Sequence, residues 1–245
     1  MITKEIRILG IIPARGGSKG IPYKNIAKLN GKPLIYYTIE AAKKSKLLDT
    51  FIVSTDDKKI ARVAKSYGAD VPFLRPKQIS GDNATDIQFL KHAVRWVSKN
   101  RKWNPEIIVL LRPTAPLRTA EDIDDALKLI IKENCDSVRT ISIPTPFNPY
   151  KMWKMENDST AKIKPLLATK YYKTLGTDVP RQWLPTVYWQ NGLVDVTKTK
   201  FIKANRVYGP DIRGIITDPN KITDIDTLKD LRIVEAILKI SKNEK

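Results

Sequence analysis

Through residue 141, short apolar runs alternate with stretches in which apolar residues recur every three or four positions. Ile6 to Ile12 is β-branched and stops at Pro13, which predicts a buried strand. Leu34, Ile35, Thr38, Ile39 and Ala42 share one helical face behind Pro33, a residue suited to a first helical turn. Phe51–Thr55 predicts a second strand ending in Asp56-Asp57, and a helix from about Lys58 to Tyr67 stops at Gly68. Val71–Pro76 reads as extended, and Ile87, Leu90, Val94 and Val97 mark a further helix. Ile107–Leu111, wholly apolar between Pro105 and Pro113, is the clearest strand. Thr119 followed by Asp122 predicts an N-cap for a helix through Ile123, Leu127, Ile130 and Ile131, and Asp136 to Ile141 returns as a strand. This alternation predicts an α/β fold with a doubly wound, mostly parallel sheet, Rossmann-like, and binding residues just beyond the C-terminal ends of its strands. A glycine-rich stretch after the first strand, Asp56-Asp57 and Arg112-Pro-Thr would then gather on one rim.

The pattern changes at Pro144. Pro144, Pro146 and Pro149 break any helix, and the segment to about Ala204 is rich in aromatics and short strands such as Met152–Met155 and Val187–Trp189. Arg213–Thr217 resumes strand character and Asp226 to about Ile240 reads as an amphipathic helix. The chain therefore reads as one domain over 1–245 with an inserted aromatic-rich arm at about 144–204. Such an arm suits an interface, and a hairpin packed on its own core stands beside that reading.

Composition narrows the class. A hydrophobic content of 42% with 8% aromatics is that of a globular chain rather than a disordered one. No apolar run approaches the ~20 residues that span a bilayer, and no signal-peptide pattern opens the sequence. The single cysteine, Cys135, excludes an intrachain disulfide framework and points to a reducing, cytoplasmic location with no membrane partner. The charge is strongly positive: 44 Lys and Arg against 26 Asp and Glu give +18. Such an excess attracts polyanions, and a nucleic-acid-binding protein is the rival from another class. The basic residues are spread along the chain, however, without zinc-finger spacing, RNP-type aromatics or a basic-region heptad. A general field that draws in nucleotides and acidic sugars fits better.

Candidate chemistry is concentrated in Ile12-Pro-Ala-Arg-Gly-Gly-Ser-Lys-Gly-Ile-Pro-Tyr-Lys-Asn25. Gly16, Gly17 and Gly20 allow a tight turn with backbone N–H groups presented to a ligand, and Ser18 lies between them. Arg15, Lys19 and Lys24 add fixed positive charge, a combination suited to a polyphosphate. The spacing is not that of a P-loop, and a solvated basic turn is the plainer reading of the glycines taken alone. Asp224 and Asp226 stand two apart, so in an extended segment their carboxylates face the same way and suit Mg²⁺. Asp226 is also placed to cap the last helix. His92, the one histidine, and Cys135 have no partners in the sequence for a triad or a zinc site, and both read as packed residues.

The long glycine-rich stretch resembles the N-terminal signature of the acylneuraminate cytidylyltransferase family, the CMP-sialic acid synthetases, with Kdo cytidylyltransferases as more distant relatives. Further matches follow in order over nearly the whole chain: Arg75-Pro76, Ser80-Gly-Asp82-Asn-Ala84, Leu111–Arg118, Arg181–Pro185, Gln190-Asn-Gly192 and Asp224-Ile-Asp-Thr227. The resemblance implies CTP-dependent activation of a nine-carbon sugar acid to its CMP-sugar, with release of pyrophosphate. It implies that Arg15 and Lys19 contact phosphates and that Lys24 stands near the α-phosphate. Asn25 and Arg75 would read the cytosine, under a loop that carries Asp82. Asp224 and Asp226 would hold Mg²⁺, Asp224 acting in catalysis with Lys24 and Arg15. Arg112, Arg181, Gln190, Asn191 and Gly192 would line the sugar site, with Arg181 for the sugar carboxylate, and the arm would form a homodimer. The family commonly carries glutamine where this chain has Arg112, which keeps open legionaminate, pseudaminate, Kdo or another nucleotide. Asp56-Asp57 is a second metal candidate, with Asp57 reading rather as a helix cap.

Overall fold

The computed structural model describes residues 6–144, 147–221 and 224–243. Pro146, Ile222 and Thr223, on which the sequence reading drew, lie outside the described residues. The chain divides into two units, one comprising Met1–Thr140 with Asn191–Lys245 and the other Ile141–Gln190.

The first unit is built on β1 (Ile8–Pro13), α1 (Leu34–Lys44), β2 (Thr50–Ser54), α2 (Lys58–Ser66), α3 (Asp86–Arg101), β3 (Ile107–Leu110), α4 (Ala120–Glu133) and β4 (Ser137–Ser142). They are followed by β5 (Trp189–Lys198), α5 (Thr199–Lys203), β6 (Ile212–Ile216) and α6 (Leu228–Asn243). The six-stranded sheet has the order β6-β4-β5-β3-β1-β2. β1 pairs in parallel with β2 and with β3, while β5 runs antiparallel to β3. The mostly parallel, Rossmann-like architecture is the one expected.

Successive side chains of a strand point to opposite faces, and here both faces are dry. Ile8 and Ile12 of β1 with Ile107 and Val109 of β3 pack under α1, α2 and α4 through Ile35, Ile39, Ile60, Ile123 and Leu127. Leu9, Ile11, Ile108 and Leu110 face the other way, onto Leu90, Val94 and Val97 of α3 and Ile202 of α5. The unbroken apolar strands in the sequence are the signature of this double burial. β1 therefore lies between β2 and β3, and the helices that lead to its two neighbours cover opposite faces. This is a topological switch point, where open α/β sheets bind ligands.

Local signals act as expected. The Asp57 carboxylate accepts from the backbone N–H of Lys59 at 2.7 Å and Ile60 at 2.9 Å, capping α2. Gly68 turns away with a positive φ of 81°, and Thr119 with Asp122 forms a reciprocal cap on α4. The segment after α2 runs along β2 through isolated bridges at Asp70 and Leu74. Cys135 is buried, and the His92 ring packs edge-on against Phe73 with centroids 4.6 Å apart. No helix among the described residues is long and apolar enough to cross a membrane.

The second unit, Ile141–Gln190, contains an antiparallel hairpin of Trp153–Asn157 and Lys162–Pro165 and a short helix, Tyr172–Leu175. Trp153, Met155 and Ile163 on the hairpin are exposed. The insertion expected over about 144–204 extends too far at its C-terminal end. Leu193, Val194 and Val196 are buried in β5, so the chain has rejoined the sheet by Asn191. The polar residues Asn191, Asp195 and Thr197 hide this strand in the sequence; all three are buried nonetheless.

One buried carboxylate joins two helices. Asp124 of α4 is 7% exposed and accepts from Ser45 Oγ at 2.5 Å, Lys46 N at 3.1 Å and Leu47 N at 3.2 Å, where the chain leaves α1. Asp124→Ala strands these donors, and urea denaturation should show a loss of about 2–3 kcal/mol.

Candidate functional site

The C-terminal ends of β1, β2 and β3 point the same way, and the loops that follow them converge. Ala14 N donates to Ser54 O at 3.0 Å and Leu111 N to Ile11 O at 3.0 Å, so the three exits stay in register. The Gly16 N–H donates to Asp56 Oδ1 at 3.0 Å, tying the glycine loop to the end of β2. Asn25 Nδ2 donates to Arg15 O at 2.9 Å and holds the loop's other end.

The three glycines have different reasons to be glycine. A Cβ on Gly20 would lie 2.2 Å from the Asp226 carbonyl oxygen, and one on Gly16 would lie 3.1 Å from Asp57 Cβ, whereas one on Gly17 would meet nothing within 4 Å. Gly20 thus permits the loop to touch the segment ahead of α6. That segment is anchored from both sides. Ile225 is fully buried with Ile21, Leu29, Leu34 and Val234, and its N–H donates to Thr114 O at 2.9 Å. Asp224 and Asp226, its exposed neighbours, flank it in sequence. Lys24 Nζ donates to Asp226 Oδ1 at 2.7 Å.

Asp226 does not cap α6 as expected. The cap is Thr227, whose hydroxyl accepts from Asp230 N at 3.3 Å while Asp230 Oδ2 accepts from Thr227 N at 2.7 Å. Asp226 is thereby left facing Lys24 and the cleft.

The glycine loop, Arg75, Gly81 and Ala84, Asp86 and Phe89, Arg112–Thr114 and Asp226–Thr227 wall a cleft of about 540 Å³. Its positive side is already partnered. Asp82 bridges Arg15 Nη1 at 3.0 Å and Lys19 Nζ at 2.9 Å, and Arg15 Nη1 also donates to Gly81 O at 2.9 Å. The hydrogen bond from Lys19, with the charges of Lys19 and Arg15, holds the Asp82 carboxyl below its ordinary range.

Arg75 is 5% exposed, lies over the Phe89 ring at 4.7 Å, and donates from Nε to Ser54 Oγ at 3.0 Å and from Nη2 to Ser54 O at 2.5 Å. Burial pushes its pKa down to about 10 against the pull of Asp56 and Asp86.

Arg112 lines the cleft, but its fork is in use. Nη1 donates to Asp195 Oδ2 at 2.5 Å and Nη2 to Asp86 Oδ2 at 2.5 Å. Burial opposes its charge, yet Asp195 and Asp86 outweigh burial and raise its pKa above the ordinary value. Asp195, 3% exposed, gives its other oxygen to Arg139 Nη1 at 2.8 Å. Below the cleft, buried Arg118 donates to Arg112 O at 2.6 Å, to Thr38 Oγ1 at 3.0 Å and to Leu193 O.

The cleft therefore brings together Arg15, Ser18, Lys19, Lys24, Asn25, Arg75, Arg112 and Asp226. Gly16, Gly17, Asp82 and Asp224 adjoin it without lining it. Asn191 is not on its wall: Nδ2 donates to Thr217 Oγ1 at 2.7 Å and Oδ1 accepts from Leu193 N at 3.2 Å, while Gly192 takes a φ of 70° beside it. Arg181, which opens the turn Arg181–Trp183, and Gln190 belong to the second unit, and both are exposed. Asp86, Phe89, Asp195 and Arg118 were not foreseen. Arg112 at the end of an apolar strand demands counterions, but nothing in the sequence says which carboxylates supply them.

Asp224 and Asp226 fit a hard divalent cation that also takes water and substrate phosphates. Asp224 is exposed and without an ion pair among the described residues, and no third acid, histidine or cysteine joins the two into a protein cage there.

Residues 9–165 match the family model described as Cytidylyltransferase. The chain is 34% identical over 243 residues to the CMP-N,N'-diacetyllegionaminic acid synthase of Legionella pneumophila, a match covering 97% of this chain and 98% of that protein. It is 31% identical over 244 residues to the N-acylneuraminate cytidylyltransferase of Escherichia coli, covering 98% of this chain and 54% of that longer protein. Among solved structures, CMP:2-keto-3-deoxy-manno-octonic acid synthetase complexed with CTP shares the fold with a TM-score of 0.68. That match has 15% identity over 96% of this chain and 99% of the other.

The glycine geometry gives a paired test by calorimetric titration with CTP. Gly20→Ala, which must displace the Asp226 backbone, should weaken binding about tenfold or more, and Gly17→Ala should leave it within about twofold.

Proposed function

The chain belongs to the cytidylyltransferase family, and we propose that it activates a nonulosonic acid with CTP, giving the CMP-sugar and pyrophosphate. The observation that carries this reading is the cleft at the switch point of the sheet. Glycine-loop cations and Asp226 line it together. In the proposed reaction the anomeric hydroxyl oxygen of the sugar attacks the α-phosphorus of CTP. The bond from that phosphorus to the bridging oxygen breaks, pyrophosphate departs with the electron pair, and the hydroxyl proton passes to water. The protein's task is to position two anions and to offset charge during transfer.

Arg15 and Lys19 exchange the Asp82 carboxylate for phosphate oxygens, so the triphosphate enters a cradle whose cations are already placed. Lys24, oriented by Asp226, supplies positive charge to the phosphoryl group in flight. Arg75, fixed by Ser54 and Phe89, borders the base with Asn25. Mg²⁺ held by Asp224 and Asp226 would supply phosphate orientation and charge neutralisation. The exposed Trp153, Met155 and Ile163 support a homodimer formed through the second unit, and the lone cysteine supports a cytoplasmic location.

The relatives named above act on different sugar acids, so the substrate is assigned by assay. Pyrophosphate release with CTP and Mg²⁺ should depend on a sugar acid from a panel of N-acetylneuraminate, legionaminate, pseudaminate and Kdo. CTP binding without release on any of them would remove the proposal. Lys24→Ala and Asp224→Ala should each lower kcat by about 10²–10³, the scale of losing one charge-stabilising group, with circular dichroism unchanged. Chelation of divalent cations should abolish turnover, and Mg²⁺ should restore it.

A further inference from the structure

The two carboxylates that hold Arg112 are unequal. Asp195 is 3% exposed and shared with Arg139, so it is a buried anion between two guanidinium groups, a kind of group that cannot be removed cheaply. Asp86 begins α3 on the cleft wall, its side chain is 38% exposed, and it pairs with Arg112 Nη2. With Arg112 28% and Asp86 38% exposed, this outer pair is partly open to water and exchanges more readily than the buried inner one. The inner bond therefore fixes the plane of the guanidinium, and the outer one occupies a donor that faces the cleft.

We propose that Asp86 is a displaceable counterion that reserves Arg112 for the carboxylate of the sugar acid, and that the Asp86–Arg112 pair sets affinity for that acid. The inference rests on the proposed function. Without a substrate, Asp86 neutralises the outer half of the fork and keeps it in the plane set by Asp195. The incoming carboxylate takes over Nη2, and Asp86 turns to solvent at the N-terminal end of α3, where a negative charge is favoured. Affinity for the acid is thus lowered by the contact that must be broken, and Asp86 discriminates against ligands too weakly anionic to displace it.

Steady-state kinetics on the whole chain test this. Asp86→Asn should lower KM for the turned-over sugar acid about two- to fivefold, the range of an ion pair open to water on one side, with kcat and the KM for CTP unchanged. Asp86→Glu, which keeps the charge, should stay near wild type. In an Arg112→Gln background, where KM for the acid is raised, Asp86→Asn should have no further effect. An unchanged or raised KM for the acid in Asp86→Asn overturns the proposal. So does a shift that falls on CTP instead, or one that persists in the Arg112→Gln background, since that would be a general charge effect. Failure of the wild type to turn over any sugar acid removes the proposed function and this inference together. Turnover with no Asp86 effect removes the inference alone.

Discussion

A strand buried on both faces can carry no charge until it ends. β1, β2 and β3 obey this constraint, and it decides where the chemistry of the chain is placed. From Ile8 to Ile12 and from Ile107 to Leu111 every side chain faces packed helix or neighbouring strand. The first charged groups after each strand stand just beyond its C-terminal end. Because the three strands are parallel, those ends coincide: Arg15 and Arg112 reach one cleft from distant parts of the sequence, and Asp56 ties the glycine loop beside it. The dry sheet does not merely support the site; it excludes charged side chains from the strands themselves.

Where charge does enter the interior, it is matched. Asp195 lies inside β5 between Arg112 and Arg139, and Arg118 spends its donors on backbone carbonyls and Thr38. Removing one member of such a set leaves a buried charge without its partner, which costs more than the pair contributes. The arginine-rich floor is thus rigid for the same reason that it is costly, and it offers the cleft a fixed geometry rather than a set of mobile cations. Arg75, held by Ser54 and stacked on Phe89, follows the same logic.

Elements governed by local rules were legible in the sequence. The double burial of Ile107–Leu110, the Asp57 and Thr119 caps and the Gly68 stop all depend on residues within a few positions of one another, and all stand where the pattern put them. β5 was not legible, since a strand that buries Asn191, Asp195 and Thr197 reads as polar until its partners are known, and those partners lie in other elements. The site divides in the same way. The glycine loop stands out as a dense local pattern, whereas its contact with Asp226, made by Lys24 across 202 residues, does not. The engagement of Arg112 by Asp86 and Asp195, 26 and 83 residues away, is a product of topology and has no local trace. The cap on α6 shows the limit of a single-residue rule: Asp226 is a good capping residue, but Thr227 with Asp230 forms a reciprocal pair and takes the position.

The contact between Lys24 and Asp226 closes a loop of 202 residues. β1, β2, β3 and the glycine loop all precede Leu111, whereas the backbone against which Gly20 rests is that of Asp226. During synthesis on a ribosome β1, β2, β3 and most of the cleft wall emerge well before that segment, and contacts of such separation form late. The nascent chain therefore holds a basic, glycine-lined groove with one side missing. The cleft wall closes only when Ile225 docks beside Thr114, so the cleft depends on a contact made late in synthesis.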